Sequence, residues 1–373
     1  MRIAITINTS WNIYNFRLGL IRAFINQGHD VVAIAPYDEY SNKLEEVGCE
    51  YVPITMDNTG SNPFKDFALL RQLKKVYQHV MPDVILHYTV KPNIYGTLAA
   101  HSLNIPVINN VSGLGTVFLS KSVASFAAKK LYKRAFKNAQ VVFFQNSDDR
   151  EVFISEIDLP NLSSDLLPGS GINLSQFQPN PIPSQEHKTF LMISRVIIDK
   201  GVIEFIEAAK LVKKKYPHTS FQLLGKLDTN HVRGIPYETI SDAADSAVLE
   251  YLGETDDVRP FIQNAHCVVL PSYREGTPRT LLEAAALGKP IVTTDVPGCR
   301  EVVENGENGY LCEVKSSSDL SKKMITICEK SDNDLQIMGD KSRMLAESKF
   351  DEQIVISQYL KHLSNIMNQI PNE

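Results

Sequence analysis

Residues 1–35 read MRIAITINTSWNIYNFRLGLIRAFINQGHDVVAIA. Arg2–Asn8 is a short apolar run, Tyr14–Gly28 carries apolar residues at helical spacing, and Asp30–Ala35 is apolar again. A strand, a helix closed by Gly28 and a second strand make a βαβ unit. Asn8, Thr9 and Ser10 cut the first run short, so the N-terminus reads as a first strand and not as a signal peptide. No GxGxxG follows that strand, which argues against a nicotinamide dinucleotide fold.

The same alternation continues outward. Glu50–Ile54, Asp83–His87, Pro106–Asn110 and Gln140–Gln145 read as strands, with the amphipathic stretches Pro63–His79 and Ser122–Asn138 among them. The strands are nearly continuous in apolar residues, as a sheet covered on both faces requires. Asn62 is placed to cap a helix that has Pro63 at its first position. From Leu166 to Lys188, four prolines and two glycines break the periodicity, and 171–188 reads as a linker between domains 1–170 and 189–351. Beyond it the pattern restarts, with strands Thr189–Ser194, Ser220–Leu224, Val248–Leu252, His266–Pro271 and Pro290–Thr293 and helices Val202–Tyr216 and Arg279–Leu287. Near the end Ile356, Tyr359, Leu360, Leu363, Ile366, Met367 and Ile370 recur at helical spacing. The fold class is α/β, in two doubly wound domains.

Composition narrows the function. The chain has 373 residues, 43% hydrophobic and 22% charged, with a formal charge of −5, too acidic for a nucleic-acid coat. Residues 1–170 hold 16 Lys/Arg against 15 Asp/Glu, whereas the rest hold 22 against 28. No acid lies between Asp83 and Asp148, a span containing Lys91, Lys121, Lys129, Lys130, Lys133, Arg134 and Lys137, which suggests an anionic ligand or surface at that face. The five cysteines form no CxxC pair and read as reduced cytosolic thiols, with neither a disulfide frame nor a metal site. No run approaches the ~20 apolar residues of a membrane span.

Chemistry concentrates in Pro271–Ala284, PSYREGTPRTLLEA. A strand ends at Pro271, Glu275 and Gly276 occupy a loop, Thr277 suits an N-cap and Pro278 the first helical position. The amides of Arg279, Thr280 and Leu281 then form a phosphate site, flanked by Glu275 and, a turn into the helix, Glu283. Read alone, either glutamate also fits a solvated turn. Arg195 and Lys200, after the first strand of this domain, bring two cations to the sheet edge where ligands of open α/β folds bind, enough to hold a diphosphate without a metal. Taken singly, each also fits a solvated surface charge. In the first domain, Arg17 follows the first strand, while His87 ends another strand ahead of Lys91. These are acceptor-side candidates, although His87 fits a buried, satisfied histidine equally well. The stretch 118–138 mixes Phe118, Leu119, Val123, Phe126 and Leu131 with its cations, and reads either as a helix lying on anionic headgroups or as an ordinary sheet-covering helix.

The segments Arg195–Lys200, Phe221–Gly225, Glu250–Asp257, Pro271–Gly288 and Thr294–Glu301 together resemble the family-4 retaining glycosyltransferases of GT-B fold. Pro168–Asn173 and the basic first domain resemble its capsular-polysaccharide and O-antigen branch. The resemblance implies two facing Rossmann-like domains, with a C-terminal helix, 352–373, packing back on the first. It implies that Arg195 and Lys200 bind the donor diphosphate, Glu275 the donor-sugar hydroxyls and Glu283 the ribose, with Gly276 to Leu281 lining the nucleotide site. The implied reaction moves a hexose or N-acetylhexosamine from a UDP-sugar, with retention, to a polyprenyl-diphosphate-linked glycan, in the cytoplasm at the inner face of the membrane and with no cofactor. An epimerase or phosphorylase of the same fold is the alternative. Many relatives carry a histidine where this chain has Ser112, beside Gly113, so these two join the acceptor-side candidates.

Overall fold

The computed structural model describes residues 1–57, 62–115, 118, 122–185, 187–229 and 231–369. The chain divides into two compact units, Met1–Ser170 with Glu352–Glu373, and Gly171–Asp351.

The first unit is built on seven parallel strands: β1 (Arg2–Thr6), β2 (Asp30–Ala35), β3 (Glu50–Pro53), β4 (Val84–Tyr88), β5 (Val107–Val111), β6 (Val141–Phe144) and β7 (Ser164–Leu166). Their order is β3-β2-β1-β4-β5-β6-β7, so the winding reverses between β1 and β4. Helices α1 (Ser10–Asn26), α2 (Ser41–Glu46), α3 (Pro63–Val80), α4 (Thr97–His101), α5 (Val123–Phe136) and α6 (Ser147–Ile157) cross over between them, with a π-helical turn at Pro92–Gly96. Side chains alternate across the sheet as the strand period of two demands. Ile3, Ile5, Leu86 and Phe143 face one core with Leu20 and Phe24 of α1, and Ala4, Ile85, Val107 and Val142 face the other layer. Asn62 caps α3, accepting bonds from the Phe64 and Lys65 amides with Pro63 at the first helical position.

The second unit holds six parallel strands: β8 (Thr189–Ile193), β9 (Ser220–Leu224), β10 (Glu250–Tyr251), β11 (Cys267–Leu270), β12 (Ile291–Thr294) and β13 (Gly309–Cys312). Their order is β10-β9-β8-β11-β12-β13, reversing between β8 and β11. Its helices are α7 (Val202–Lys215), α8 (Tyr237–Asp245), α9 (Arg259–Asn264), α10 (Arg279–Ala286), α11 (Ser317–Cys328) and α12 (Asp332–Leu345). The last helix, α13 (Glu352–Gln369), returns to the first unit, where Val355, Ile356, Tyr359, Leu363 and Ile366 enter the α1-side core. Ile370 lies outside the described residues.

Residues 171–188 do not behave as a free linker. Ile172 is buried and bridged to Asp351, and Phe177 and Ile182 join the core of the second unit. The prolines remove backbone donors but leave the apolar side chains between them to pack. All five cysteines are free, and four are buried.

Candidate functional site

The second unit's sheet reverses between β8 and β11, and ligands of open α/β sheets bind beside the strand ends at such a point. The loop after β8 carries Arg195 and Lys200, and the loop after β11 carries Glu275. Two glycines let these loops meet. Gly201 has φ 75°, and a Cβ there would sit 2.1 Å from the Pro271 carbonyl oxygen. Gly298 has φ 84°, and a Cβ there would sit 2.3 and 2.4 Å from the carbonyl oxygens of Gly276 and Glu275. Backbone bonds finish the junction, from Tyr273 N–H to Asp199 O at 2.9 Å and from Glu275 N–H to Pro297 O at 3.2 Å.

Within this frame the Lys200 ammonium pairs with the Glu275 carboxylate, and Ser272 Oγ donates to the same Glu275 oxygen at 2.7 Å. Their side chains are only 21% and 12% exposed, so the pair is weakly screened. Arg195 is exposed, and among the described residues its guanidinium has no carboxylate partner.

α10 begins one residue later than its sequence suggests. Pro278 is the N-cap, extended at φ −73° and ψ 118°, and Arg279 is the first helical residue. The Leu281 amide is already bonded to Pro278 O at 3.0 Å, so it is not open to a ligand as its position in the sequence implied. Thr280 Oγ1 donates to Ile193 O at 3.1 Å and holds the first turn against the end of β8. Glu283 accepts from Arg279 Nε at 3.2 Å, and Arg279 Nη1 reaches Gly171 O at 2.8 Å. Burial raises the Glu283 carboxyl above its ordinary range, and the Arg279 charge and bond oppose the rise. Ser272 and the Tyr273–Glu204 bond of 2.7 Å were not singled out from the sequence, because polar residues at a strand end carry no periodic signal.

The first-unit candidates fare differently. His87 is fully buried, with Nε2 3.0 Å from Tyr77 Oη and Nδ1 3.1 Å from Thr97 Oγ1. Burial drives its pKa down to about 3, so it is a neutral structural histidine and not a ligand contact. Lys91 is mostly buried against Asp66 at 2.8 Å, and Asp66 also accepts from Tyr95 Oη at 3.1 Å. Ser112 Oγ donates to Asn110 Oδ1 at 2.9 Å, and Gly113 has φ 134°. Arg17 is buried, its guanidinium 4.3 Å from the Tyr88 ring centroid, in a pocket shared with Asn110, Gly169, Glu352 and Tyr359.

In the basic stretch, Phe118 and Leu131 pack inward with Tyr132, Phe136 and Phe153, as a sheet-covering helix requires, whereas Phe126 is exposed. Lys129 pairs with Glu156 at 2.6 Å and Lys133 with Asp158 at 2.5 Å. Lys130, Arg134 and Lys137 carry no ion pair among the described residues, and Lys121 lies outside them. Among the described residues no cluster of His, Cys, Asp or Glu could hold a metal ion, and no helix is long and apolar enough to cross a membrane.

Known proteins converge on this architecture. Residues 175–344 match the family Glycosyl transferases group 1, and residues 2–146 match Glycosyl transferase 4-like. The chain is 31% identical, over 99% of its length and 100% of the relative's, to the N,N'-diacetylbacillosaminyl-diphospho-undecaprenol alpha-1,3-N-acetylgalactosaminyltransferase of Campylobacter jejuni. The chain is a group 1 glycosyltransferase. The enzyme is also 24% identical, over 75% of its length and 74% of the relative's, to the UDP-Gal:alpha-D-GlcNAc-diphosphoundecaprenol alpha-1,3-galactosyltransferase of Escherichia coli. Among solved structures, Anabaena Alr3699/HepE in complex with UDP superposes with a TM-score of 0.79 at 19% identity, covering 98% of the enzyme and 100% of that chain. The enzyme's fold is GT-B, each unit a doubly wound parallel sheet.

Proposed function

We propose that the enzyme transfers a hexose or N-acetylhexosamine from a UDP-sugar, with retention, to a lipid-diphosphate-linked glycan of a bacterial surface polysaccharide. The observation that carries this reading is the Lys200–Glu275–Ser272 cluster at the head of α10, with Arg195, which has no carboxylate partner among the described residues, in the loop that also carries Lys200. The activities by which the Campylobacter and Escherichia relatives are named, both on undecaprenol-diphosphate sugars, support the acceptor class.

In this reading the donor diphosphate meets Arg195 and draws Lys200 partly away from Glu275. One phosphate oxygen shares the ammonium, and the Glu275 carboxylate, still held by Ser272, accepts from hydroxyls of the transferred sugar. Glu283 accepts from the ribose. As the glycosidic bond breaks, the leaving diphosphate gains charge, and the two cations with the amides ahead of α10 stabilise it more than they stabilise the intact donor. We assign no covalent enzyme intermediate: the departing phosphate takes the acceptor's proton on the face where the new bond forms. Two cations suffice for the leaving group, so transfer persists in EDTA.

The enzyme works at the cytoplasmic face of the membrane as a peripheral protein, with Lys130 and Arg134 of α5 and Lys137 at its end facing anionic headgroups. Arg17, Ser112 and Gly113 remain its acceptor-side candidates. Thermal shifts against UDP- and GDP-sugars, followed by transfer to an undecaprenyl-diphosphate monosaccharide, test the reading. A UDP-sugar stabilises the protein and the product keeps the donor's anomeric configuration. Inverted product, or turnover that needs inorganic phosphate instead of an acceptor, would refute it.

A further inference from the structure

Two helices of the first unit share an unexplained surface design. α3 and α5 lie on the same face of the sheet. Val107 and Val111 point to one side of β5, and Val107 packs in the core of α3 while Val111 packs in the core of α5. Each helix leaves a strand of a parallel sheet, so both N-termini stand at the carboxyl rim of the strands. The Asp66 bonds to Lys91 and Tyr95 fix the first turn of α3 beside the end of β4.

At that rim both helices present phenylalanine to solvent. Phe64 is 88% exposed and Phe67 54% exposed on α3, and Phe126 is 60% exposed on α5. Each helix backs its aromatic with a cation four residues on, Arg71 at 4.4 Å from the Phe67 ring centroid and Lys130 at 4.5 Å from that of Phe126. Further down the same faces lie Lys75 on α3 and Arg134 on α5, with Lys137 just past the end of α5, all exposed. From residue 67 to residue 147 the sequence has ten Lys or Arg and a single acid, Asp83.

We infer that the N-terminal turns of α3 and α5 form a two-point docking surface for an anionic lipid bilayer. The phenylalanines enter the headgroup boundary and the cations behind them meet lipid phosphates. This deepens the proposed function and rests on its lipid-borne acceptor. Binding of such a surface scales with the apolar area it buries plus its attraction to anionic lipid, so repeating the design on a second helix adds to both. A protein partner would need acids placed opposite the exposed cations Arg71, Lys75, Lys130, Arg134 and Lys137 on two separate helices, whereas an anionic leaflet supplies them everywhere.

Cosedimentation of the full chain with vesicles of phosphatidylcholine, with and without phosphatidylglycerol, tests the inference. Binding requires phosphatidylglycerol. Arg71→Gln with Lys75→Gln, or Lys130→Gln with Arg134→Gln, lowers the partition constant about 25-fold, since about 1 kcal/mol per cation is about fivefold. Phe64→Ser with Phe67→Ser weakens binding on its own, and adding Phe126→Ser abolishes it. These positions are exposed, so melting temperature and transfer to a short-chain, detergent-soluble diphosphate acceptor stay as in the unsubstituted enzyme. Equal binding by the α3 variants and the unsubstituted chain would overturn the inference. So would a dimer that Phe64→Ser with Phe67→Ser dissociates while vesicle binding persists, which would make the face a contact between copies. Vesicle binding without transfer to any lipid-diphosphate acceptor sinks the acceptor reading and leaves the docking surface standing; transfer to the soluble acceptor without vesicle binding does the reverse.

Discussion

Gly298→Ala separates the placing of Glu275 from the stability of the loop that holds it. A Cβ at 298 would lie 2.3 Å from Gly276 O and 2.4 Å from Glu275 O, both backbone atoms that no rotamer change removes. Carbon–oxygen contacts settle at about 3.3 Å or beyond, so the 275–276 backbone is pushed by about 1 Å. A shift of that size at a reacting centre costs about 100-fold in kcat. The positive φ of 84° adds about 1–2 kcal/mol of strain for any side chain. Gly306→Ala is the control, because Gly306 has φ 88° with nothing within 4 Å of an added Cβ. Both variants lose stability through strain, about 2–4 °C in Tm per kcal/mol for a unit of this size. Only Gly298→Ala loses turnover. Steady-state transfer with saturating donor, beside thermal unfolding of both variants, reads the difference. A Gly298→Ala enzyme with the kcat of Gly306→Ala would show that the Glu275 loop tolerates displacement, and the positioning argument would fail.

Three further outcomes follow from the site. Lys200→Met, which leaves Glu275 its Ser272 bond, lowers kcat by about 10²–10³-fold, the usual loss for one preorganised charge-stabilising donor, and single-turnover rates check it. Burial raises the Glu283 carboxyl, so its carboxylate form is lost on acidification at a pH above that of an ordinary glutamate. UDP affinity measured by calorimetry therefore falls through that range, while Glu283→Gln binds about 10–100-fold more weakly with a flatter profile. His87 is held at about 3 by burial, against 6.5 unperturbed, so the unfolded chain takes up a proton that the folded chain refuses. Its contribution is complete above about pH 6.5 and is lost as pH falls towards 3. His87→Gln flattens the acid limb of Tm against pH and leaves KM for the acceptor unchanged; a raised KM would return His87 to the acceptor side.

The sequence carried the fold wherever elements were long and apolar. Asn62-Pro63 marked the start of α3, and the seven periodic residues from Ile356 marked α13. β7 (Ser-Asp-Leu) and β13 (Gly-Tyr-Leu-Cys) were missed because their polar residues and glycine leave no apolar run that stands out from the flanking loops. Glu275 and Glu283 were legible from local spacing, but their partners were not equally so. Arg279 lies one turn from Glu283, whereas Lys200 lies 75 residues from Glu275 and meets it only through two glycine-dependent backbone approaches. The spacing also misplaced the head of α10, since Thr277-Pro278 fits the common N-cap pattern while Pro278 itself takes the cap. His87 and Lys91 show the opposite failure. In a sheet covered on both faces, alternation does not tell an interior strand position from an open end, and the partners that occupy them, Tyr77, Thr97 and Asp66, come from other elements.

α13 has a bearing on how the chain matures. The second unit is complete in sequence at Asp351, but the first still lacks the Tyr359, Leu363 and Ile366 side chains that close over Leu20, Phe24 and Phe143. On the ribosome the part made first therefore finishes last. Through the synthesis of 181 intervening residues the part of its α1-side core that α13 closes, around Phe143, stays open, a natural client for a holdase chaperone.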